Sequence, residues 1–170
     1  MYACVALPKL HYELKTLWLR KADHHRLDSF LVRCLRRVHG IPHSYVSRVP
    51  NRDVMQIARA STLSALLLQR QLNLFARIAR MDDLCPVRRV LFEDNSTNLK
   101  EKAGPRGRGR PRQMWSSSVH AHAMQIAGSE EHLHTMLART PRATTLWKEA
   151  VQQYCDAYVQ NGDADGSLSE

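Results

Sequence analysis

Between Lys100 and Arg112 the chain sets six cations, Lys100, Lys102, Arg106, Arg108, Arg110 and Arg112, against a single acid, Glu101. Cationic groups at that density neutralise phosphates and release the counterions condensed on a polyanion, so the chemistry they offer is binding rather than bond making. Within the run, "RGRGRPR" alternates arginine with glycine. Gly107 and Gly109 let the backbone approach a surface closely, and Pro111 holds the exit extended. Arg108, Gly109, Arg110, Pro111 and Arg112 therefore also suit a narrow minor groove, where the negative potential of A·T tracts draws in guanidinium groups. A second cationic set, Arg33, Arg36 and Arg37, falls near a helix C-terminus, where arginines complement the dipole and can extend a phosphate track. The alternative for this set is a solvated basic face.

Other residue types invite sharper chemistry and do not sustain it. "RMDD" at Arg80–Asp83 offers the paired aspartates that hold two metal ions in many polymerases. Those pairs sit at a tight turn between strands, whereas here a long apolar helix precedes and "LCP" follows, so Asp82 and Asp83 are expected to end the helix. Histidines recur as His24-His25, His120-x-His122 and His132-x-His134. No cysteine lies near any of them, and adjacent or alternate residues point in different directions on a helix, so no metal site is expected. No phosphate loop, nucleophile elbow or HExxH is present. Neither cofactor nor small-molecule substrate is expected.

Composition agrees with a polyanion partner. Lys and Arg number 25 against 16 Asp and Glu in 170 residues, a net +9, while a hydrophobic fraction of 44% argues against a wholly disordered chain. Cys4, Cys34, Cys85 and Cys155 are widely spaced and form no CxxC pair, which reads as reduced thiols. The opening "MYACVALP" lacks the basic lead-in and apolar length of a leader, and no segment reaches the span of a membrane helix. The expected setting is nuclear or cytoplasmic, not secreted, with no membrane partner.

The elements that must position these residues are helical. Leu27, Phe30, Leu31, Cys34, Leu35 and Val38 fall on one face of a helix that Gly40 stops. Asn51 is placed as the N-cap of a short helix carrying Val54, Met55, Ile57 and Ala58. Ser61 or Thr62 opens "TLSALLLQRQLNLFARIAR", whose wide stripe of Leu63, Leu67, Leu68, Leu72, Leu74, Phe75, Ile78 and Ala79 implies central packing. Cys85-Pro86 marks a break before one or two helical turns. After the linker, Trp115, Val119, Ala123, Ile126 and Ala127 form a helix ending at Gly128, Ser129 opens the next, and a last helix buries Leu146, Trp147, Ala150, Val151, Tyr154 and Tyr158. The predicted fold is all-α, with short amphipathic helices in two small groups joined by a basic Gly/Pro/Arg linker. The predicted segments are a lead-in at 1–20, a helical region at 21–93, the linker at 94–112, C-terminal helices at 113–160 and a disordered acidic tail at 161–170.

Three blocks in fixed order carry a family resemblance. Leu19–Ile41, with "RCLRRVHGI" at its end, Leu63–Phe92, closing on "ARMDDLCPVRRVLF", and Arg108–Val119, "RGRPRQMWSSSV", resemble the region downstream of the polymerase core in non-LTR retrotransposon reverse transcriptases. Trp147 also matches a usual tryptophan. The chain departs from the family at Leu74, Ala76 and Arg77, where Trp, Gly and His are frequent, and its "YELKTLW" is a reduced lead-in, as in a drifted copy. The resemblance implies that the polymerase palm and endonuclease lie outside this chain. It also implies a non-catalytic fragment holding RNA or DNA through Arg106, Arg108, Arg110 and Arg112, with Arg33, Arg36 and Arg37 extending the track. Arg108–Arg112 separately resembles the AT-hook of high-mobility-group A chromatin proteins, which implies an A·T-directed adaptor as the alternative. An inert retrotransposon remnant is a third. The choice of RNA or DNA and the oligomeric state stay open.

Overall fold

The computed structural model describes residue 12 and residues 14–94, 96–100 and 114–162, the last four as backbone only. Among the described residues lie eight helices and no strand: α1 (Lys21–Val38), α2 (Ser44–Ser47), α3 (Asn51–Ala58), α4 (Leu63–Ala79), α5 (Pro86–Leu91), α6 (Trp115–Ala127), α7 (Glu130–Met136) and α8 (Pro141–Gly162). The all-α class read from the sequence holds. The chain forms two compact units: Leu19–Leu67 with the chain from Cys155, and Leu68–Tyr154 with the chain up to Trp18. The basic segment is not where they part, because α5 before it and α6 after it belong to the same unit. The boundary falls inside α4, a continuous helix whose apolar stripe runs its whole length.

In the unit that begins at Leu19, Asp23 accepts from the Arg20 amide at 3.2 Å, closing the first turn of α1. Gly40 follows the helix at φ +65°, a left-handed turn that suits glycine. The buried line of α1 is Leu31, Val32 and Arg36, whereas Phe30 and Val38 of the predicted apolar face are exposed. Arginine periodicity concealed this, since Arg36 is one turn beyond Val32 and reaches into the turn that follows. Asn51 does not cap α3. Pro50 takes the cap position and Asn51 stands at the first helical residue, its Oδ1 accepting from Arg36 at 3.1 Å.

The opening of α4 is doubly held. Thr62 Oγ1 accepts from the Ala65 amide at 3.3 Å, and Asp28 accepts from the Ser64 amide at 3.0 Å and its hydroxyl at 2.6 Å. A carboxylate there satisfies orphan donors and complements the positive end of the helix dipole.

In the other unit Leu68, Leu72, Phe75, Ala76, Ile78 and Ala79 of α4 are buried, with Val119 and Ala123 from α6, Leu133 and Met136 from α7, and Ala143, Trp147 and Val151 from α8. Phe75 packs on Phe92 with ring centroids 5.2 Å apart. Each fully buried large side chain contributes roughly 1.5–3 kcal/mol. Gly128, at φ +74°, ends α6, and Ser129 Oγ accepts from the His132 amide at 3.3 Å to open α7. In α8 the buried line runs Ala143, Trp147, Val151 and Cys155, so Leu146 and Tyr158 of the predicted stripe face outward. A four-residue step follows the left flank of a helical stripe, and the true line is that flank.

Residues 94 and 96–100 of the expected 94–112 linker belong to a hydrogen-bonded reverse turn, and 101–112 lie outside the described residues. Glu93 N–H donates to the Asn98 carbonyl at 3.0 Å and Lys100 N–H to the Leu91 carbonyl at 3.0 Å, so Phe92 and Leu99 pair antiparallel. Thr97 is buried. This reverse turn is polar and short, with no hydrophobic period to betray it. Residues 161 and 162 of the expected 161–170 tail are helical, since α8 continues to Gly162. The expected disorder at 163–170 lies outside the described residues, as does most of the 1–20 lead-in.

Candidate nucleic-acid interface

Arg106, Arg108, Gly109, Arg110, Pro111 and Arg112 lie outside the described residues. Both flanks of the basic segment are described and belong to one unit. On one side Lys100 is exposed at the end of the reverse turn; on the other Met114 is extended and α6 starts at Trp115, as the sequence suggested. Trp115 is half-buried and its indole Nε1 is buried without a hydrogen-bond partner among the described residues.

The three arginines of α1 part company. Arg33 and Arg37 are exposed, one helical turn apart, and neither forms an ion pair among the described residues. Arg33 Nε donates to the Ser29 carbonyl at 3.3 Å. Arg36 is buried, with 6% of its surface exposed. Its Nη1 donates to the Pro42 carbonyl at 2.9 Å and to Ser47 Oγ at 3.3 Å, and its Nη2 to the Val49 carbonyl and to Asn51 Oδ1. A buried guanidinium with four of its five N–H donors turned to internal acceptors is not presented to a phosphate, so Arg36 leaves the expected track. It positions the turn from Pro42 to Asn51 instead.

Sequence reasoning missed the cations on either side of that turn. Arg26, seven residues before Arg33, falls on the same helical face with Phe30 between them; Arg26 lies 3.7 Å from Asp23. Arg48, Arg52 and Arg59 are exposed. From Arg33 to Arg59 there are six arginines and one acid, Asp53. The count was visible in the sequence, but only the fold shows which guanidinium groups face water.

The "RMDD" residues form a brace. Arg88 is buried and donates from Nε to Asp83 Oδ1 at 2.6 Å, from Nη1 to the Ala79 carbonyl at 2.9 Å and from Nη2 to the Ser96 carbonyl at 3.2 Å. Arg139 approaches Asp83 at 3.4 Å and donates to the Met81 carbonyl at 2.6 Å, while Arg80 donates to the carbonyls of Met136, Ala138 and Ala143. The Arg88 hydrogen bond holds the Asp83 carboxyl below the usual range, with Arg139 adding to it. Asp82 is exposed, and its Oδ1 accepts from the Leu84 amide at 3.4 Å. One aspartate is tied to cations and the other to its own backbone, which is how a helix terminus is closed.

The histidines are distributed through helix packing. His25 Nδ1 meets Ser29 Oγ at 3.1 Å, His122 Nδ1 meets Tyr154 Oη at 2.9 Å, and His132 Nδ1 meets the Ala127 carbonyl at 2.9 Å. Burial holds His24 and His120 below their usual value, opposed in part by Asp28 and Asp23 for the first and Glu130 for the second. Among the described residues no group of three or more His, Cys, Asp or Glu is placed to hold a metal ion. Cys155 is a free thiol pushed up to about 11 by burial. A shallow depression lined by Ser96, Thr97, Glu130, Glu131 and His134 carries two carboxylates, a poor seat for an anion. Among the described residues no helix is long and apolar enough to cross a membrane.

No protein-family model, curated protein or solved structure matches the chain.

Proposed function

We propose that the chain is a non-catalytic nucleic-acid-binding module of the kind that follows the polymerase core in non-LTR retrotransposon reverse transcriptases. The observation that carries this reading is the cation run from Lys100 to Arg112, in which a single acid opposes six bases. Its flanks enter one helical unit, so the run is a tethered segment with folded structure on both sides. The exposed Arg33 and Arg37 support the same reading as a second set of phosphate contacts. The work is positional: arginines engage phosphates of RNA or DNA, and the helices hold the segment that bears them.

A salt series tests it. With labelled RNA and duplex DNA of equal length, log affinity for duplex falls by roughly 0.9 per phosphate neutralised for each decade of salt. Replacing Arg106, Arg108, Arg110 and Arg112 together by alanine is expected to flatten the duplex slope by about 3 to 4. An unchanged slope and affinity in that variant would overturn the proposal. Preference for A·T tracts, reversed by a minor-groove drug, would favour the adaptor reading in its place.

A further inference from the structure

The turn that Arg36 holds presents an aromatic pair to solvent. His43 and Tyr45 stack with ring centroids 5.8 Å apart and planes 12° from parallel. Tyr45 is 82% exposed and Val46 61%, while His43 is exposed as well. Large apolar groups left that open at the tip of a turn cost burial unless something covers them. Nothing about the turn itself is loose. Ser47 Oγ donates toward the Pro42 and His43 carbonyls, each at 3.1 Å, and accepts from the Val49 amide at 3.3 Å; Arg36 holds Pro42, Ser47, Val49 and Asn51 from beneath. The rings therefore sit on a preorganised base, and little entropy remains to be lost when a planar ligand lands on them.

The charge around the rings specifies the ligand. Arg48 follows Tyr45 by three residues and closes α2 at φ +52°, a left-handed conformation that glycine adopts more easily. Arg37 precedes the turn and Arg52 follows it; both are exposed, and none of the three forms an ion pair among the described residues. A flat ring pair flanked by guanidinium groups that form no ion pair among the described residues fits a planar heterocycle attached to a phosphate chain.

We infer that His43 and Tyr45 form a stacking platform for an unpaired base of single-stranded nucleic acid, with Arg37, Arg48 and Arg52 engaging the adjoining phosphates. This deepens the nucleic-acid reading and rests on it. A duplex keeps its bases stacked on one another and offers the rings nothing, so the platform discriminates single strand from duplex, in RNA and DNA alike.

The test uses the full chain with labelled single-stranded RNA, single-stranded DNA and a blunt duplex of equal length. Tyr45→Ala is expected to weaken single-strand binding by about tenfold and to leave duplex binding unchanged, the usual size for one lost base stack. Tyr45→Trp keeps the ring and the affinity. With 2-aminopurine in the single strand, wild type and Tyr45→Trp quench its emission and Tyr45→Ala does not. Equal losses on single strand and duplex, or no loss with Tyr45→Ala, overturn the platform. If Tyr45→Ala instead breaks a dimer seen by sedimentation while binding is intact, the face is a protein contact and the inference fails. The four-arginine linker variant separates the two readings: its failure to change affinity sinks the linker proposal, while the Tyr45 comparison still decides the platform. RNA and DNA arms differ only if the 2′-hydroxyl is read.

Discussion

Arg36 donates from Nη1 to the Pro42 carbonyl at 2.9 Å, tying the last turn of α1 to the turn that follows it. The same guanidinium also serves Ser47, Val49 and Asn51. Removing it takes the side-chain donor from the half-buried Val49 carbonyl and leaves the Pro42 carbonyl with Ser47 Oγ alone. Arg36→Ala is expected to destabilise the fold by about 3 kcal/mol, and Arg36→Lys to recover little, because one ammonium cannot reproduce the planar fork. Chemical denaturation measures the loss. Nucleic-acid affinity per folded molecule should stay near wild type, whereas Arg33→Ala with Arg37→Ala should leave stability intact and lower affinity.

Arg36 also shows where the sequence stops being informative. Three arginines in five residues read as one basic face, and nothing in their spacing marks the middle one as buried. Its partners are carbonyls and a short polar turn, which leave no trace in hydrophobic periodicity. The helices themselves were legible because Leu63–Ala79 and Trp115–Ala127 carry long apolar stripes ended by clear stop signals such as Gly128. The reverse turn at 93–100 was not, since backbone hydrogen bonds and one buried threonine define it. Of the candidate site, the cation run is pure composition and was read at once. Tyr45 was passed over as part of a turn, because its exposure depends on a side chain nine positions earlier in the chain, Arg36, that fixes the backbone around it.

Arg88 joins α5 to the end of α4 through Asp83 and the Ala79 carbonyl, and it is buried. Arg88→Ala is expected to cost about 3 kcal/mol by taking the donor from the buried Ala79 carbonyl and leaving Asp83 with Arg139 as its remaining cation. Asp82→Asn should be close to neutral, since that side chain is exposed and makes one local contact. The Asp83 carboxyl is held below its usual value, so the stability it adds is present above pH 3.8 and is lost as pH falls through its depressed value. Thermal melts of the wild type and the two variants between pH 7 and pH 3 check both statements.

Trp147 is 1% exposed and its indole N–H has no partner among the described residues. A buried donor without an acceptor offsets part of what the ring gains from packing. Trp147→Phe removes the donor along with some volume, and is expected to lie within about 1 kcal/mol of wild type. Trp147→Ala should cost about 3–5 kcal/mol through the cavity it leaves. A Trp147→Phe loss as large as that of Trp147→Ala, read by urea denaturation, would reveal a hydrogen bond that matters.

Burial holds the imidazoles of His24 and His120 below 6.5, and each has a ring nitrogen buried without a partner among the described residues. A base whose pKa is depressed by folding takes up its proton more readily in the unfolded chain, so protonation favours unfolding. The stability attached to both groups is therefore complete above pH 6.5 and falls as the pH drops below it. For His120 the surroundings sharpen the effect. Its ring stands edge-on to Phe75 with centroids 6.0 Å apart, an apolar neighbour that cannot solvate an imidazolium, and Glu130 compensates only in part. Melting temperature is expected to decline between pH 7.5 and pH 5, a window well above the Asp83 titration. His120→Leu removes one of the two titrating groups and should shallow that decline while keeping the contact with Phe75 apolar. A decline of the same steepness in His120→Leu would mean that His120 is charged in the folded protein and that the acid sensitivity arises elsewhere.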